Sequence, residues 1–438
     1  MMKSWLHEDW QVDGTDIKTF LTTMEKISAN TTFIRANTAE FGLITSGYCA
    51  KNDYKARLIT GETLVEFEYA EEKGAFYEIS IPLNKLDIAL TEESFDGPGF
   101  MIDYRDKYYY VSDRAAASFF ARGNISGLGI HKVSLPRAVF LMEILHDSGI
   151  GNPCDGVYKE FGRDNPEGNN CTMIVKKDTG NGVTAEKIFF LPSEKYVPLP
   201  VVFMTDVVKY VSGDGKYGRA ESRQWVLNHS LYEMIMVFPE AAEKAAETYG
   251  LPDRILPGIR IRFSDTGAYA TEVSSILYFN DDDRYVTIDS SEFKHNGLPG
   301  TEELFAVADR QIEYACVYGI EQLAALKDKS AEPAIKPQAQ NRRKVETERT
   351  VAALSKKMKL ARAIGKSREM DVKKKLVDAL TPLSGKTMYE LAVTMMRAGS
   401  LMEDLPGSLE DLVAEACGRV PDLLSTAGKH AMTDQAAG

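Results

Sequence analysis

The spacing of apolar residues changes along the chain, and this change restricts the fold more than any other feature. In its first two thirds, apolar and polar residues alternate in short segments such as YKARLIT, TLVEFEYA and AFYEISI, which turn-forming residues separate. Such alternation is typical of antiparallel strands with one solvent-facing side. Later in the chain, apolar residues recur every three or four positions, at Val351, Leu354, Met358, Ala361 and Ile364, as in an amphipathic helix.

This pattern predicts an α+β fold of antiparallel sheets with packed helices, followed by a helical C-terminal region with a long basic amphipathic helix. We expect an N-terminal α+β region at residues 1–150 and a central α+β region at residues 151–330 that ends in a long helix. Residues 331–340 contain two prolines and no apolar period, which is typical of a linker. The C-terminal region at residues 341–427 then holds the basic helix and two short helices, and residues 428–438 are predicted to be a disordered tail.

Three local predictions concern the central region. VVFMTDVVKYV, residues 201–211, is rich in β-branched residues and predicts a strand. Apolar residues spaced three and four apart predict a helix over residues 219–238. GIRIRFSD, residues 258–265, alternates apolar with charged or polar residues, which predicts a strand with one exposed side.

Charge is distributed unevenly along the chain. Residues 336–386 contain 15 Lys and Arg residues and 5 acidic residues, a net charge of +10, although the whole chain carries −12. The remaining residues therefore carry −22. An acidic body with one basic arm predicts a polyanionic or acidic partner for that arm.

The cationic residues of the basic arm are the candidate binding residues, because each can neutralise one phosphate group. They are Arg342, Arg343, Lys344, Arg349, Lys356, Lys357, Lys359, Arg362, Lys366, Arg368, Lys373, Lys374 and Lys375. Three interpretations stay open: a solvated face or one docked on the acidic body, a nucleic-acid surface, and a contact with another protein or a membrane surface. Residues 336–388 contain no aromatic residue, so base stacking would require residues elsewhere, such as Tyr108, Tyr109 and Tyr110.

Two Asp-Thr-Gly tripeptides, at residues 178–180 and 265–267, match the tripeptide that carries the catalytic carboxylate of aspartic proteases. Those enzymes need two carboxylates close enough to share a proton. The segment before Asp265 reads as a half-exposed strand, whereas Asp178 follows two lysines and precedes Gly-Asn-Gly. Because the two flanks also differ, we interpret both tripeptides as turns.

Two further motifs are incomplete. PLSGKT, residues 382–387, resembles the end of a phosphate-binding loop, but position 380 is Leu where that loop requires Gly. In NDDDR, residues 280–284, adjacent carboxylates on extended backbone point to opposite sides, which favours a solvated hairpin turn over a divalent metal site formed by Asp281 to Asp283.

Histidine and cysteine residues do not form a recognisable site. His146, Cys154 and Cys171 do not have the spacing of common zinc ligands, and His229 is interpreted as a partly buried structural histidine. We therefore expect no catalytic residue, no metal and no cofactor. The five cysteines include no CxxC pair, which indicates reduced thiols.

The sequence also bears on location. No apolar run approaches the roughly 18 to 20 residues that span a bilayer. The first segment, MMKSWLHEDWQVDG, lacks the basic start and apolar core of a secretion signal. We expect a cytoplasmic protein without a transmembrane segment.

Three segments resemble the phage and plasmid protein family known as domain of unknown function 932. They are DRAAASFFARGNISGLG, PGIRIRFSDTGAYATEVSSILYFNDDDRYVTID and the pair KTMYELAVTMMRAGS and SLEDLVAEACGRV. The resemblance implies a mobile-element gene expressed in the cytoplasm of a bacterial host, with a link to DNA maintenance or recombination. The family has no agreed catalytic residues, so none are transferred to this chain.

These observations favour a non-enzymatic accessory protein of a phage or mobile element that binds nucleic acid through its basic C-terminal helix. The alternative is a structural or assembly protein, such as a virion component or a modulator of a host protein. Such a protein would form a homo-oligomer or dock its basic helix on an acidic protein surface. An enzyme of unfamiliar type is the third hypothesis, and a deep pocket that gathers Asp265, His229 or Asp281 to Asp283 would favour it.

Overall fold

The structure confirms the predicted α+β class with a helical C-terminal region. It is a computed structural model that describes residues 5–7, 9–37, 40, 42–44, 56–60, 63–70, 75–82, 101–105, 107–112, 114–115, 118, 157–158, 163–164, 170–180, 183–198, 200–251, 255–281, 283–293, 300–329, 337–357, 366–380, 387–397, 407–421 and 424.

One six-stranded sheet, called sheet A here, is antiparallel throughout. Its strands, in spatial order, are β1 (Gln11–Gly14), β15 (Glu221–Asn228), β16 (Tyr232–Val237), β17 (Ile255–Phe263), β18 (Thr271–Phe279) and β19 (Arg284–Phe293). Strands β15 to β19 follow each other in both sequence and space, so most of the sheet is a meander.

A second six-stranded sheet, sheet B, combines strands from distant parts of the chain. Its order is β2 (Thr31–Asn37), β11 (Asn170–Gly180), β12 (Val183–Phe190), β8 (Lys107–Val111), β7 (Met101–Tyr104) and β3 (Gly42–Ile44). Strands β12 and β8 are parallel, whereas the other neighbours are antiparallel. Because β1 pairs with β15 and β2 with β11, the predicted N-terminal and central regions share both large sheets.

Smaller sheets complete the described strands. One has three strands, β4 (Ala56–Thr60), β5 (Thr63–Ala70) and β6 (Ala75–Pro82), and the two-stranded ones are β9 (Val157–Tyr158) with β10 (Arg163–Asp164) and β13 (Asp214–Gly215) with β14 (Gly218–Arg219).

The described helices fall into two groups. The first group contains α1 (Ile17–Ala29), α2 (Val201–Val211), α3 (Pro239–Tyr249) and α4 (Thr301–Glu313), which continues through a π-helical turn (Tyr314–Gly319) into α5 (Ile320–Lys327). The C-terminal group contains α6 (Pro337–Lys357), α7 (Lys366–Ala379), α8 (Met388–Arg397) and α9 (Gly407–Gly418).

Two of the hydrophobic cores formed by the described residues join sheet A to the helices. In the first, Phe20 of α1, Met204 of α2 and Leu304 of α4 are buried against Met236 and Ile261 of sheet A. The second core joins the far end of sheet A to the C-terminal group. It contains Leu277 and Ile288 from the sheet and residues from each helix of the group, namely Val351, Leu376, Leu391 and Leu412.

Two local predictions in the central region are wrong. Residues 201–211 form helix α2 instead of a strand, because burial of Val201, Met204, Val208 and Val211 on one side outweighs the strand preference of β-branched residues. Residues 219–238 contain strands β15 and β16 instead of a helix.

The turn between β15 and β16 explains the second error. The side-chain Oδ1 of Asn228 accepts hydrogen bonds from the backbone N–H groups of Ser230 and Leu231, at 2.9 and 2.8 Å. An Asn side chain that accepts from the residues two and three positions ahead forms a tight turn. Several buried residues of β15, β16 and the turn between them recur every three or four positions along the chain. This coincidence gives the segment the apolar spacing of a helix.

The predicted single basic helix is two helices, α6 and α7. Ser355 Oγ in α6 donates a hydrogen bond of 2.5 Å to Glu369 Oε1 in α7. In one continuous helix, residues 14 positions apart would lie about 21 Å from each other. Helices α6 and α7 therefore pack side by side and do not form one continuous helix. Helix α6 also begins at Pro337, inside the predicted linker 331–340.

Helix α9 contacts β19 so closely that a side chain at Gly418 does not fit. A Cβ atom at this position would lie 1.9 Å from the backbone oxygen of Thr287. We expect Gly418→Ala to lower the free energy of unfolding by about 1–3 kcal/mol, because the helix must move away from the sheet. Urea denaturation measures this, and Gly215→Ala is the control, since its added Cβ meets nothing closer than 3.9 Å. Equal stability of both variants would contradict the predicted contact.

Candidate functional site

Helices α6 and α7 bury their apolar sides in the second core. Val351 and Leu354 of α6 and Val372, Leu376 and Val377 of α7 belong to that core, together with Leu323 and Leu326 of α5. These contacts fix the rotation of both helices. Their charged residues must therefore face away from the body of the protein.

The described cationic side chains follow this expectation. Lys344, Arg349, Lys356, Lys374 and Lys375 are exposed, and we call these five residues the basic surface. Lys373 is half-buried. The structure places Arg342, Arg343, Lys357, Lys366 and Arg368 in α6 or α7 without describing their side chains, and Lys359 and Arg362 lie outside the described residues.

The described ion pairs of α6 and α7 are local. Arg349 Nη1 lies 2.8 Å from Glu346 Oε1, and Lys373 Nζ lies 2.8 Å from Glu369 Oε1, each within one helix. Within the part of the chain that the structure describes, Lys344, Lys356, Lys374 and Lys375 have no carboxylate within 4.0 Å. The described acidic residues of the body therefore do not neutralise these four lysines.

The structure brings Asp265 and His229 together around a buried lysine that the sequence did not single out. Lys176 Nζ lies 3.1 Å from Asp265 Oδ2 and donates a hydrogen bond of 2.8 Å to Tyr232 Oη. The Tyr232 hydroxyl in turn donates to Asp265 Oδ2 at 2.8 Å. Lys176, Tyr232 and Asp265 are at most 1% exposed, and we call them the Lys176 cluster.

The Lys176 cluster connects the two large sheets. Lys176 lies on β11 of sheet B, Tyr232 lies on β16 of sheet A, and Asp265 follows β17 of sheet A. The backbone oxygen of Asp265 also accepts a hydrogen bond of 3.0 Å from Tyr196 Oη, and that of Thr266 accepts one of 3.0 Å from Arg114 Nε. Asp265 is thus fixed by both its side chain and its backbone.

Burial shifts the pKa values of Lys176 and Tyr232. It lowers the pKa of Lys176, although the negative charge of Asp265 acts in the opposite direction. Burial likewise raises the pKa of the Tyr232 hydroxyl well above its usual range. Each effect favours the neutral form of the side chain concerned, because a buried charge loses its hydration.

His229 is a neutral residue beside this cluster. Burial, with the positive charge of Lys176, lowers its pKa to about 2. Its ring stacks on Phe189 with 4.0 Å between ring centroids, and its Nε2 lies 2.9 Å from the carbonyl oxygen of His7, to which it donates a hydrogen bond. These contacts agree with a structural histidine and give it no exposed reactive nitrogen.

The aspartic-protease motif is not supported. Asp265 pairs with a lysine and a tyrosine, so its described partners include no second carboxylate that shares a proton. Asp178 lies on the β11–β12 hairpin, opposite Ala185. The prediction that Asp265 is a simple turn residue is incomplete, because its side chain is buried and paired.

A second buried ionic group lies within sheet A. Glu272 Oε1 accepts a hydrogen bond of 3.0 Å from Arg260 Nη2, while its Oε2 accepts one from Arg262 Nη2. Ser274 Oγ also donates to Glu272. We call these four residues the Glu272 cluster. All nine residues of β17 are buried, so the predicted half-exposed strand at residues 258–265 is wrong.

The electrostatics of Glu272 are set by its arginine neighbours. Burial alone would raise the pKa of this carboxyl, but the charges of Arg260 and Arg262 outweigh burial and lower the pKa to about 2. Glu272 is therefore ionised at neutral pH. It balances one of two buried positive charges.

The NDDDR segment forms the turn between β18 and β19. Asp283 has a φ angle of 53° and accepts a hydrogen bond from the Tyr278 hydroxyl, and Asp281 Oδ2 lies 3.5 Å from Arg397 Nη2. Asp282 lies outside the described residues, as do His146, Cys154 and residues 382–386 of the PLSGKT segment. No group of three or more potential metal ligands occurs among the described residues.

Comparisons with known proteins leave the family open. The chain matches no family model, no curated protein and no solved structure. Its resemblance to domain of unknown function 932 therefore stays a prediction. Among the described helices, none is long and apolar enough to cross a membrane.

Proposed function

We propose that this chain is a non-enzymatic accessory protein of a phage or related mobile element that binds nucleic acid through the basic surface. The observation that supports this most directly is the arrangement of Lys344, Lys356, Lys374 and Lys375. They are exposed on two helices whose opposite sides are fixed in the core, and no described carboxylate pairs with them.

The overall charge distribution favours a polyanion at this surface. Residues outside 336–386 carry a net charge of −22, so the body repels nucleic acid, whereas the +10 segment attracts it. Contact is therefore restricted to one side of the molecule. The family resemblance supports the same context, namely DNA maintenance, recombination or replication.

The chemistry of the basic surface indicates contact with phosphates. Lysine ammonium groups act as point charges toward phosphate oxygens and carry little sequence information. Residues 336–388 also lack an aromatic side chain for base stacking. We therefore expect weak dependence on base sequence.

Binding should weaken steeply with salt. If four lysines neutralise four phosphates of duplex DNA, the logarithm of affinity falls with the logarithm of salt concentration with a slope of about −3.6. Between 50 and 200 mM salt, the affinity then falls about 150-fold. Fluorescence anisotropy with labelled duplex DNA, single-stranded DNA and RNA measures this. Absence of binding to all three at low salt would refute the proposed function.

An acidic protein surface is the second candidate partner. The net charge of −22 outside residues 336–386 favours it, since a second copy of the chain presents such a surface to the basic helices. Light scattering of the nucleic-acid-free chain across the same salt range separates the two candidates. Salt-sensitive self-association without nucleic acid supports this candidate, whereas a monomer at every salt concentration excludes the self-association form of it.

A further inference from the structure

We propose that Lys176 and Asp265 form an intramolecular amide bond that cross-links the two large sheets. The two side chains are 0% and 1% exposed, and Lys176 Nζ lies 3.1 Å from Asp265 Oδ2. An amine and a carboxyl group held at this separation react at an effective concentration far above any attainable in solution. Condensation of the two groups releases one water molecule. Because the site is buried, the equilibrium between the free groups and the amide favours the amide more than it does in water.

The cluster contains a path for the proton transfer that must come first. An amine attacks only in its neutral form, and a carboxyl group reacts more readily when protonated. Lys176 donates to Tyr232 Oη, and the Tyr232 hydroxyl donates to Asp265 Oδ2, both at 2.8 Å. One proton moves from the ammonium to the phenol oxygen while the phenol proton moves to Oδ2, which gives a neutral amine, an intact tyrosine and a carboxylic acid.

The surroundings of Lys176 favour its neutral amine. Lys176 Nζ lies 5.2 Å from the ring centroid of Phe189 and 5.4 Å from that of Tyr232, so aromatic rings replace much of its hydration. Charge separation is costly in such a site, because neither ion is hydrated. Burial also lowers the pKa of Lys176, which favours its neutral amine. The neighbouring His229 adds no charge, because its pKa is about 2.

The reaction then balances without another reagent. The Lys176 nitrogen attacks Cγ of Asp265, a C–N bond forms, and the C–O bond to the protonated Oδ2 breaks. That oxygen leaves as water with its own proton and one proton from the nitrogen. Asp265 Oδ1, which has no hydrogen-bond partner among the described residues, remains as the amide oxygen.

Such a bond has a clear structural consequence. It ties β11, which lies between β2 and β12 in sheet B, to the segment that follows β17 of sheet A. These segments are far apart in sequence, so the bond closes a long loop in the unfolded chain. It would also replace the buried amine and carboxyl group by one uncharged amide.

Mass spectrometry of the purified full chain under denaturing conditions tests the bond. We expect a mass lower than the sequence mass by one water molecule, and a branched tryptic peptide that joins Lys176 to Asp265. Fragmentation of that peptide distinguishes the cross-link from a succinimide at Asp265, which also loses water, and from a bond to Lys187, the cross-strand neighbour of Lys176. Unmodified peptides containing Lys176 and Asp265 would overturn the proposal.

Two variants test the chemistry. Lys176→Arg should have the full sequence mass, and its circular dichroism spectrum shows whether it folds. Tyr232→Phe keeps the ring but removes the hydroxyl, so the cross-link should form more slowly in freshly purified protein. A cross-linked Lys176→Arg variant would overturn the bond assignment. Full and equally rapid cross-linking of Tyr232→Phe would overturn the proton path through Tyr232.

Discussion

Glu272→Gln is expected to lower the free energy of unfolding by about 3 kcal/mol at neutral pH. The substitution keeps the size of the side chain but removes the negative charge that pairs with both Arg260 and Arg262 and balances one of their two positive charges. Arg260 and Arg262 are 1% and 8% exposed, so their guanidinium groups cannot regain hydration without opening the sheet. Urea denaturation followed by tryptophan fluorescence measures the loss.

The effect should depend on pH in a defined direction. The folded-state pKa of Glu272 is about 2, below its ordinary value of 4.5. The unfolded chain therefore binds this proton more readily, and stability from Glu272 is fully present above the unfolded pKa. It is lost as the pH falls from about 5 toward 2. The stability gap between wild type and Glu272→Gln should narrow over that range.

Glu221→Gln is the matched control. Glu221 lies in the same sheet, its side chain is 58% exposed, and it pairs with Arg223 at 3.4 Å. An exposed ion pair contributes about 0–1 kcal/mol, so this variant should remain close to wild type. If both variants differed from wild type by a similar free energy of unfolding, the role assigned to Glu272 would be contradicted. A difference for Glu272→Gln that does not change with pH would contradict it as well.

The spacing of apolar residues was sufficient to predict the α+β class. It failed where the burial of a side chain depends on partners that are distant in sequence. The alternation in GIRIRFSD correctly indicates a strand, yet it also suggests that Arg260 and Arg262 are solvated. Their counter-charge, Glu272, lies on the next strand, and only the pairing of β17 with β18 brings it close. A pattern in one strand carries no information about the charge opposite it.

The burial of Lys176 was even harder to predict from the local sequence. Its neighbours in sequence, Lys177 and Asp178, are typical of a solvated hairpin. However, β11 lies between β2 and β12, and Tyr232 and Asp265 contact Lys176 from the other sheet. The cluster arises from two sheets packed together, so no local spacing could reveal it.

The basic helices were easier to predict because both signals were local. Val351 and Leu354 define the buried side of α6, and Lys344, Arg349 and Lys356 define its exposed side. The separation of the basic segment into the two helices α6 and α7 was not predicted. Gly365 precedes α7 and was the main local indication of a break.

Reversing the charge of four lysines on the basic surface should abolish most nucleic-acid binding. The variant carries Glu in place of Lys344, Lys356, Lys374 and Lys375, each of which is exposed and forms no described ion pair. We expect at least about a 100-fold loss of affinity at 50 mM salt, together with a shallower salt dependence, because four phosphate contacts are replaced by repulsion. Since none of the four side chains belongs to a core, stability should change little.

A second variant tests whether binding depends on where the lysines lie or only on the net charge of the chain. Lys18, Lys195, Lys209 and Lys244 are exposed lysines of the body, and their replacement by Glu changes the net charge by the same amount. If the basic surface binds nucleic acid, this control should lose only a small part of the affinity. An equal loss in both variants would instead mean that binding follows net charge and does not depend on α6 and α7, since counter-ion release at a defined surface requires cations at that surface.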